Sequence, residues 1–212
     1  MSIYDLYGNT VMAGDSAKPY AGKKWAVLGD SISMSHAQKF YHTLIAEKLG
    51  FTVQNLAASG KGYDYIRDTA VPAIDEDVAL VTIFAGTNDI VSAAYIGEPT
   101  DQDGNYSGKV YKTILAVKER FPGVPLGIIT PTQRHDYEQG HNNCAKIAAG
   151  IKAVCEVYSV PCFDMHAGSG LLALTYEGKS HYFTDGLHLS DAGHAAMAAR
   201  IEPFIRSLIP TE

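Results

Sequence analysis

The stretch Val78-Ala79-Leu80-Val81-Thr82-Ile83-Phe84 is almost wholly apolar and rich in β-branched residues. Such a run is typical of a strand that is buried on both faces of a parallel sheet. The polar sequence Gly86-Thr87-Asn88-Asp89 follows it within two residues. The pattern therefore predicts a buried strand whose carboxyl end carries polar side chains.

Shorter apolar runs recur on both sides of this strand and alternate with amphipathic segments. The predicted strands are 25–29, 52–57, 78–84, 125–130 and 160–163. The predicted helices are 35–49, 63–74, 110–120, 142–158 and a last one capped by Ser190 that runs to about Ile209, with a bend at Pro203. Strands that alternate with helices predict an α/β fold, here a three-layer α/β/α sandwich around a five-stranded parallel sheet.

Length and composition are those of one globular domain. The chain has 212 residues, of which 46% are hydrophobic and 19% are charged, and its formal net charge is −6. These values exclude disorder as the main state. The negative charge argues against nucleic acid or an anionic membrane surface as the main partner. We expect a single domain over residues 22–212, preceded by a lead-in or strap over residues 1–21.

The sequence shows no targeting signal and no cysteine pattern typical of a metal site. The start of the chain shows no signal peptide. No apolar run along the sequence is long enough to span a membrane. We expect a cytoplasmic protein if the chain is complete, and an extracellular or virion-associated one if it is a module of a longer protein. Cys144, Cys155 and Cys162 lack the spacing of a zinc site, so we expect buried thiols and no metal.

Four short polar groups stand where predicted strands end or where the last helix begins. They are Gly29-Asp30-Ser31, Ala58-Ser59-Gly60-Lys61-Gly62, Gly86-Thr87-Asn88-Asp89 and Asp185-Gly186-Leu187-His188. Ligand sites of open parallel sheets lie at the carboxyl ends of the strands, and the long loops 90–109, 131–140 and 167–181 should rim that same end. A serine, a histidine, a carboxylate and an amide that converge there are the parts of an acyl-transfer site.

These four groups resemble the sequence blocks of the SGNH hydrolases, also called the GDSL esterase/lipase superfamily. Gly29-Asp30-Ser31 matches the first block, Gly60 the second, Gly86-x-Asn88-Asp89 the third, and Asp185-x-x-His188 the last. The resemblance covers residues 23 to about 208. One mild departure is Ile32, which stands where leucine is frequent in the family. The resemblance implies the flavodoxin-like SGNH hydrolase fold.

The resemblance also implies a role for each matched residue. Ser31 would be the nucleophile, His188 its general base and acid, and Asp185 the group that orients the imidazole. The oxyanion would be held by the backbone N–H groups of Ser31 and Gly60 and by the side-chain amide of Asn88. No cofactor is implied. A side chain at position 60 could block the close approach of the backbone to a ligand, which would account for the glycine.

Each of these residues also has a purely structural interpretation. Ser31 could cap a helix, Asn88 and Asp89 could form a turn, and Asp185-Gly186 reads equally well as a turn. We adopt the structural interpretation for Asp89 and favour it for Asp30. For His36, we expect packing or solvent exposure on the first helix.

The substrate prediction rests on tyrosines. The chain has 13 Tyr against 7 Phe and one Trp. Those in or beside segments that follow strands are Tyr63, Tyr65, Tyr95, Tyr106, Tyr137, Tyr176 and Tyr182. Aromatic rings with a hydroxyl suit sugar rings better than long acyl chains, and no long apolar run lines the predicted rim.

We therefore predict a serine esterase that removes acetyl groups from a carbohydrate. Asp30, Tyr63 and Tyr95 are its predicted substrate contacts. Two alternatives stay open: a lipase or thioesterase for longer acyl chains, and a non-catalytic carbohydrate-binding module of a larger phage or cell-surface protein.

Overall fold

A five-stranded parallel sheet forms the centre of the molecule. The computed structural model describes residues 3–4, 10–11, 18–136 and 138–209. A short ribbon of β1 (Ile3–Tyr4) and β2 (Thr10–Val11) precedes the sheet in the chain. The strands of the sheet are β3 (Lys24–Gly29), β4 (Thr52–Asn55), β5 (Val78–Phe84), β6 (Leu126–Ile129) and β7 (Cys162–Phe163). Their order across the sheet is β4-β3-β5-β6-β7, and every neighbouring pair is parallel. The predicted α/β fold class is confirmed.

Helices cover both faces of this sheet. They are α1 (Tyr41–Leu49), α2 (Tyr63–Tyr65), α3 (Tyr106–Arg120), α4 (Glu138–Val157), α5 (Met165–Gly168), α6 (Tyr176–Tyr182) and α7 (Asp191–Leu208). Successive residues of a strand point to opposite faces, so Trp25 and Val27 of β3 pack with α1 and α7, whereas Leu28 packs with α2, α3 and α4. The two apolar cores fix the sheet between the two helical layers.

The register of the sheet brings polar groups together at its carboxyl edge. Gly29, at the end of β3, is paired with Phe84, at the end of β5. A Cβ atom on Gly29 would lie 2.6 Å from the Phe84 carbonyl oxygen, so glycine lets the two strand ends approach. As a result Ser31 and the 86–89 segment emerge side by side.

Several helices differ from the sequence prediction. Helices α3 and α4 each begin four residues early, at Tyr106 instead of 110 and at Glu138 instead of 142. Helix α1 begins at Tyr41 instead of residue 35, because His36 has a left-handed backbone (φ 70°) and the N–H groups of Gln38 and Lys39 donate to the Asp191 carboxylate. The predicted helix 63–74 contains α2, a π-helical turn (Ile66–Ala70) and a 3-10 turn (Val71–Ala73).

Other differences lie towards the carboxyl terminus. Part of the predicted loop 167–181 is helical, since Thr175 caps α6 by accepting from the backbone N–H of Gly178. Helix α7, by contrast, runs through Pro203 to Leu208, close to its predicted end at Ile209. Cys144 and Cys155 are buried free thiols, as expected, whereas Cys162 is half-buried.

The lead-in begins with a short ribbon. Ile3–Tyr4 pairs antiparallel with Thr10–Val11. Tyr20, assigned to the lead-in by sequence, packs in the body: its ring stacks on Phe51 at 4.7 Å and its hydroxyl donates to the Ile209 carbonyl. The division into residues 1–21 and 22–212 stays a prediction. Within the described residues, no helix combines the length and apolarity needed to span a bilayer.

Candidate active site

Ser31 stands immediately after the first strand of the sheet. Strand β3 ends at Gly29, and a 3-10 turn (Ser31–Ser33) begins two residues later. Asp30 caps this turn, because its Oδ1 accepts the backbone N–H of Ile32 at 3.0 Å. The cap fixes the backbone from which the Ser31 side chain projects.

His188 and Asp185 reach Ser31 from the loop before α7. His188 Nε2 lies 3.0 Å from Ser31 Oγ, and His188 Nδ1 lies 2.7 Å from Asp185 Oδ2. An ionised carboxylate can only accept hydrogen bonds, so Nδ1 carries the ring proton and Nε2 accepts the Ser31 hydroxyl hydrogen. The structure therefore brings together the serine, histidine and aspartate that the sequence singled out.

The Asp185 carboxylate is held by several donors. Its Oδ1 accepts the backbone N–H groups of Leu187 (3.0 Å) and His188 (2.7 Å), in a turn whose Gly186 has a φ of 90°. Burial alone would raise the pKa of Asp185, but the hydrogen bonds from the His188 ring and from these backbone groups lower it to about 2. Asp185 is therefore a fixed negative charge at neutral pH.

The three predicted oxyanion donors lie on segments that are bonded to one another. The backbone N–H of Ala58 donates to the Gly29 carbonyl (3.1 Å), which ties the loop of Gly60 to the end of β3. Asn88 Nδ2 donates to the Lys61 carbonyl at 3.0 Å. An amide has two hydrogens, so one Asn88 N–H is left for a ligand.

Gly60 and Gly62 are required for different reasons. Gly60 has a φ of 72°, and a Cβ atom there would meet nothing within 4 Å. The left-handed backbone accounts for this glycine within the protein itself. The expectation that a side chain here would block the approach of a ligand stays a prediction. A Cβ atom on Gly62 would overlap the carboxylate of Asp89.

Asp89 and Arg134 support the loops around the candidate site. Asp89 is buried and accepts the backbone N–H of Tyr63, at the start of α2; burial raises its pKa to about 6. This contact across two loops goes beyond the turn expected for Asp89. Arg134 is buried and donates to the Thr87 carbonyl at 3.1 Å, beside Asn88. Sequence reasoning missed Arg134, because a lone arginine in a loop gives no signal of its partner.

Two of the three predicted substrate contacts are wrong. Asp30 is 1% exposed and Tyr63 is 0% exposed, so neither side chain faces a ligand. The Tyr63 ring packs edge-on against buried Tyr106, with ring centroids 5.8 Å apart. Tyr95 is 73% exposed and stays a prediction. Tyr137 lies outside the described residues.

His36 is a neighbour of the candidate site that the sequence did not indicate. Its ring stacks on His188, with centroids 3.7 Å apart and planes inclined by 19°. One ligand atom each from His36, Asp185 and His188 lies within 4.8 Å of the others. A cation binds an imidazole nitrogen in the ring plane, and two nearly parallel rings share no such position. The stacked arrangement is therefore unsuited to chelation.

Comparison with solved structures agrees with this fold. A protein from Lactobacillus plantarum is 24% identical, with a TM-score of 0.78 over 90% of this chain and 99% of that one. An acetyl xylan esterase from Geobacillus stearothermophilus is 20% identical, with a TM-score of 0.62 over 92% and 100%. A phospholipase A1 from Streptomyces albidoflavus is 13% identical, with a TM-score of 0.63 over 89% and 100%.

These solved structures show the fold, and a family model shows the family. A comparison with curated proteins finds no match. The model of the GDSL-like lipase/acylhydrolase family matches residues 27–196, a range that contains all four polar groups at the carboxyl edge of the sheet. The predicted family is thereby confirmed: the chain belongs to the GDSL-like lipase/acylhydrolase family.

Proposed function

We propose that this protein is a serine esterase that removes short acyl groups, specifically acetyl, from a carbohydrate through a covalent acyl-enzyme. The observation that carries the proposal is the chain of hydrogen bonds from Ser31 Oγ to His188 Nε2 and from His188 Nδ1 to Asp185. Family membership supports a hydrolase acting on esters.

In the proposed first step, Ser31 Oγ attacks the ester carbonyl while His188 Nε2 takes the hydroxyl proton. Negative charge develops on the carbonyl oxygen, and the backbone N–H groups of Ser31 and Gly60 and the free N–H of Asn88 stabilise it. Asp185, ionised at neutral pH, stabilises the His188 imidazolium. The tetrahedral intermediate then collapses, and His188 gives its proton to the departing alcohol oxygen.

Water completes the reaction in the second half. His188 takes a proton from the water, whose oxygen attacks the acyl-Ser31 carbonyl. Collapse of the second tetrahedral intermediate breaks the bond to Ser31 Oγ, which recovers its proton from His188. The products are a free acid and an alcohol, and the protein returns to its starting state.

The acetyl-carbohydrate preference is supported by an exposed aromatic ring. Tyr176 is 80% exposed and lines a cavity of about 380 Å³ together with Phe183, Asp185 and Gly186. This cavity adjoins the carboxylate that holds His188. An exposed ring beside polar groups suits the alternating apolar and hydroxyl faces of a sugar. One protein of similar fold is an acetyl xylan esterase.

One observation favours the second candidate, a lipase or thioesterase for longer acyl chains. Leu172 and Leu174 are each 59% exposed on the segment before Tyr176. These exposed leucines, which precede Tyr176 in the chain, offer an apolar surface that the sequence prediction did not foresee. A hydrocarbon chain would bury that surface, whereas an acetyl group would not.

The test compares wild type and Ser31→Ala on p-nitrophenyl esters from acetate to octanoate and on acetylated xylo-oligosaccharides. Ser207→Ala, an exposed serine near the end of α7, is the matched control. The proposal expects Ser31→Ala to be folded and inactive, with activity falling as the acyl chain lengthens. Higher activity on octanoate would favour the second candidate. Absence of labelling by a fluorophosphonate probe would favour a non-catalytic module.

A further inference from the structure

His36 lies on the face of the proposed catalytic imidazole. The ring centroids are 3.7 Å apart and the planes are nearly parallel, so the two faces are in van der Waals contact. The Asp185 carboxylate holds the same imidazole by its edge, at Nδ1. His188 is thus restrained in its plane by Asp185 and on one face by His36.

The backbone at His36 is held in an uncommon conformation. Its φ of 70° is in the left-handed region, which costs free energy for a residue other than glycine. Hydrogen bonds on both sides hold it: the N–H of Ser35 donates to the Ser31 carbonyl (2.9 Å), and the N–H of Gln38 donates to the Asp191 carboxylate (2.9 Å). The chain therefore fixes His36 relative to Ser31 and to α7 at once.

We propose that His36 is a positioning residue for the esterase reaction, acting through His188. Its ring limits rotation of the His188 imidazole out of line with Ser31 Oγ. The aromatic face of the His36 ring also lies against the imidazolium that forms when His188 takes the serine proton, in the arrangement of a cation–π contact. This inference rests on the proposed function, because it assigns His36 to the same reaction.

Both effects act on the chemical step more than on binding of the ester. The interaction with the imidazolium exists only after proton transfer, so its loss should lower kcat and leave KM nearly unchanged. An incidental contact between the two rings would change neither constant. The split between kcat and KM therefore separates a positioning role from a coincidence of packing.

Two substitutions separate the ring from the backbone conformation. His36→Asn removes the ring but suits a left-handed backbone, since asparagine is enriched there. His36→Phe keeps a flat ring with an electron-rich face but lacks the preference for that backbone. His181→Asn is the matched control, because His181 is exposed and lines the same open groove of about 650 Å³ as His36.

The experiment measures kcat and KM on p-nitrophenyl acetate, and the thermal midpoint, for these variants and for Ser31→Ala. We expect His36→Asn to lower kcat about tenfold with KM nearly unchanged, and His36→Phe to recover most of the loss. His181→Asn should match wild type. Equal midpoints would show that the loss does not come from unfolding.

Three results would overturn the proposal. Wild-type kcat in His36→Asn would show that the ring is dispensable. Loss in His36→Phe with retention in His36→Asn would assign the effect to the backbone alone. Full activity of Ser31→Ala would remove the proposed function and this inference with it, whereas an inactive Ser31→Ala beside an unaffected His36→Asn would remove only the role of His36.

Discussion

Asp185 holds His188 twice: its Oδ2 lies 2.7 Å from the ring Nδ1, and its Oδ1 accepts the His188 backbone N–H at 2.7 Å. One carboxylate thereby fixes both the position of the residue and the orientation of its ring. The arrangement needs a spacing of three residues and a left-handed turn, which Gly186 supplies. The Asp-x-x-His pattern is the sequence expression of this geometry.

Asp185→Asn should lower kcat by about 10²–10⁴ while the fold is kept. The amide can accept at one atom only, and its NH₂ group favours the wrong ring tautomer of His188, with the proton on Nε2 where Ser31 must donate. Steady-state kinetics on p-nitrophenyl acetate measures the change. Asp77→Asn, an exposed and distant carboxylate, is the control. Retention of more than about a tenth of wild-type kcat would contradict the proposed role.

Asn88→Ala should lower kcat by about 10²–10³, because the tetrahedral oxyanion loses a donor. The bond from Asn88 to the Lys61 carbonyl is lost as well. Asn88→Asp keeps the shape but places a negative charge beside the developing one, so it should be at least as inactive as Asn88→Ala. A more active Asn88→Asp would show that Asn88 serves the loop and not the oxyanion.

The residues at the strand ends could be predicted from the sequence. In a parallel sheet the carboxyl ends of all strands lie at one edge, however many residues separate the strands along the chain. Ser31 and His188 are 157 residues apart, yet each stands where an apolar strand ends or the last helix begins. Apolar runs locate strands, and parallel strands deliver their carboxyl ends to one edge. The residues that meet there follow from topology alone.

The burial of a side chain by elements that are distant in sequence was not predictable. Asp30 and Tyr63 are polar in sequence, but only the packed structure shows that other elements bury them. The helical spacing of residues 35–49 gave no sign that Asp191 would take the N–H groups of Gln38 and Lys39 and delay the helix to Tyr41. The place of His36 on His188 depends on those same bonds.

Gly62→Ala should destabilise the protein more than Gly60→Ala. The added methyl at position 60 meets open space, so its cost is the left-handed backbone, about 1–2 kcal/mol. At position 62 the backbone is ordinary, with a φ of −128°, but the methyl displaces the buried Asp89 carboxylate, at a cost of about 2–4 kcal/mol. Denaturant unfolding measures both values.

A double-mutant cycle checks the mechanism at Gly62. In an Asp89→Ala background the obstructing carboxylate is gone, so Gly62→Ala should cost clearly less than in wild type. Gly60→Ala should cost the same in both backgrounds. If Gly62→Ala costs as much without the carboxylate, contact with Asp89 is not the source of its effect.

Asp30 should make folding stability fall as pH rises between about 4 and 7. Burial raises the pKa of Asp30 to about 7, against hydrogen bonds from Ile32 and Thr87 that lower it. In this window the folded state keeps a proton that the unfolded state releases, so the contribution of Asp30 is complete below about pH 4 and lost by about pH 7. Asp30→Asn removes this titration and should gain about 1–3 kcal/mol relative to wild type at pH 8.

The comparison must be a difference between wild type and Asp30→Asn, because other buried groups titrate in the same range. Burial raises the pKa of Asp89 to about 6, so Asp89 also lowers the folding stability as pH rises. His194, whose pKa burial lowers to about 4, acts in the opposite sense, since its folded form binds fewer protons as pH falls below about 6.5. The contribution of His194 cancels in the difference, and that of Asp89 cancels apart from its charge interaction with Asp30. Thermal unfolding from pH 4 to 8 measures the difference in the free energy of unfolding between Asp30→Asn and wild type. This difference should increase with pH up to about 7, and a constant difference would show that Asp30 is ionised throughout.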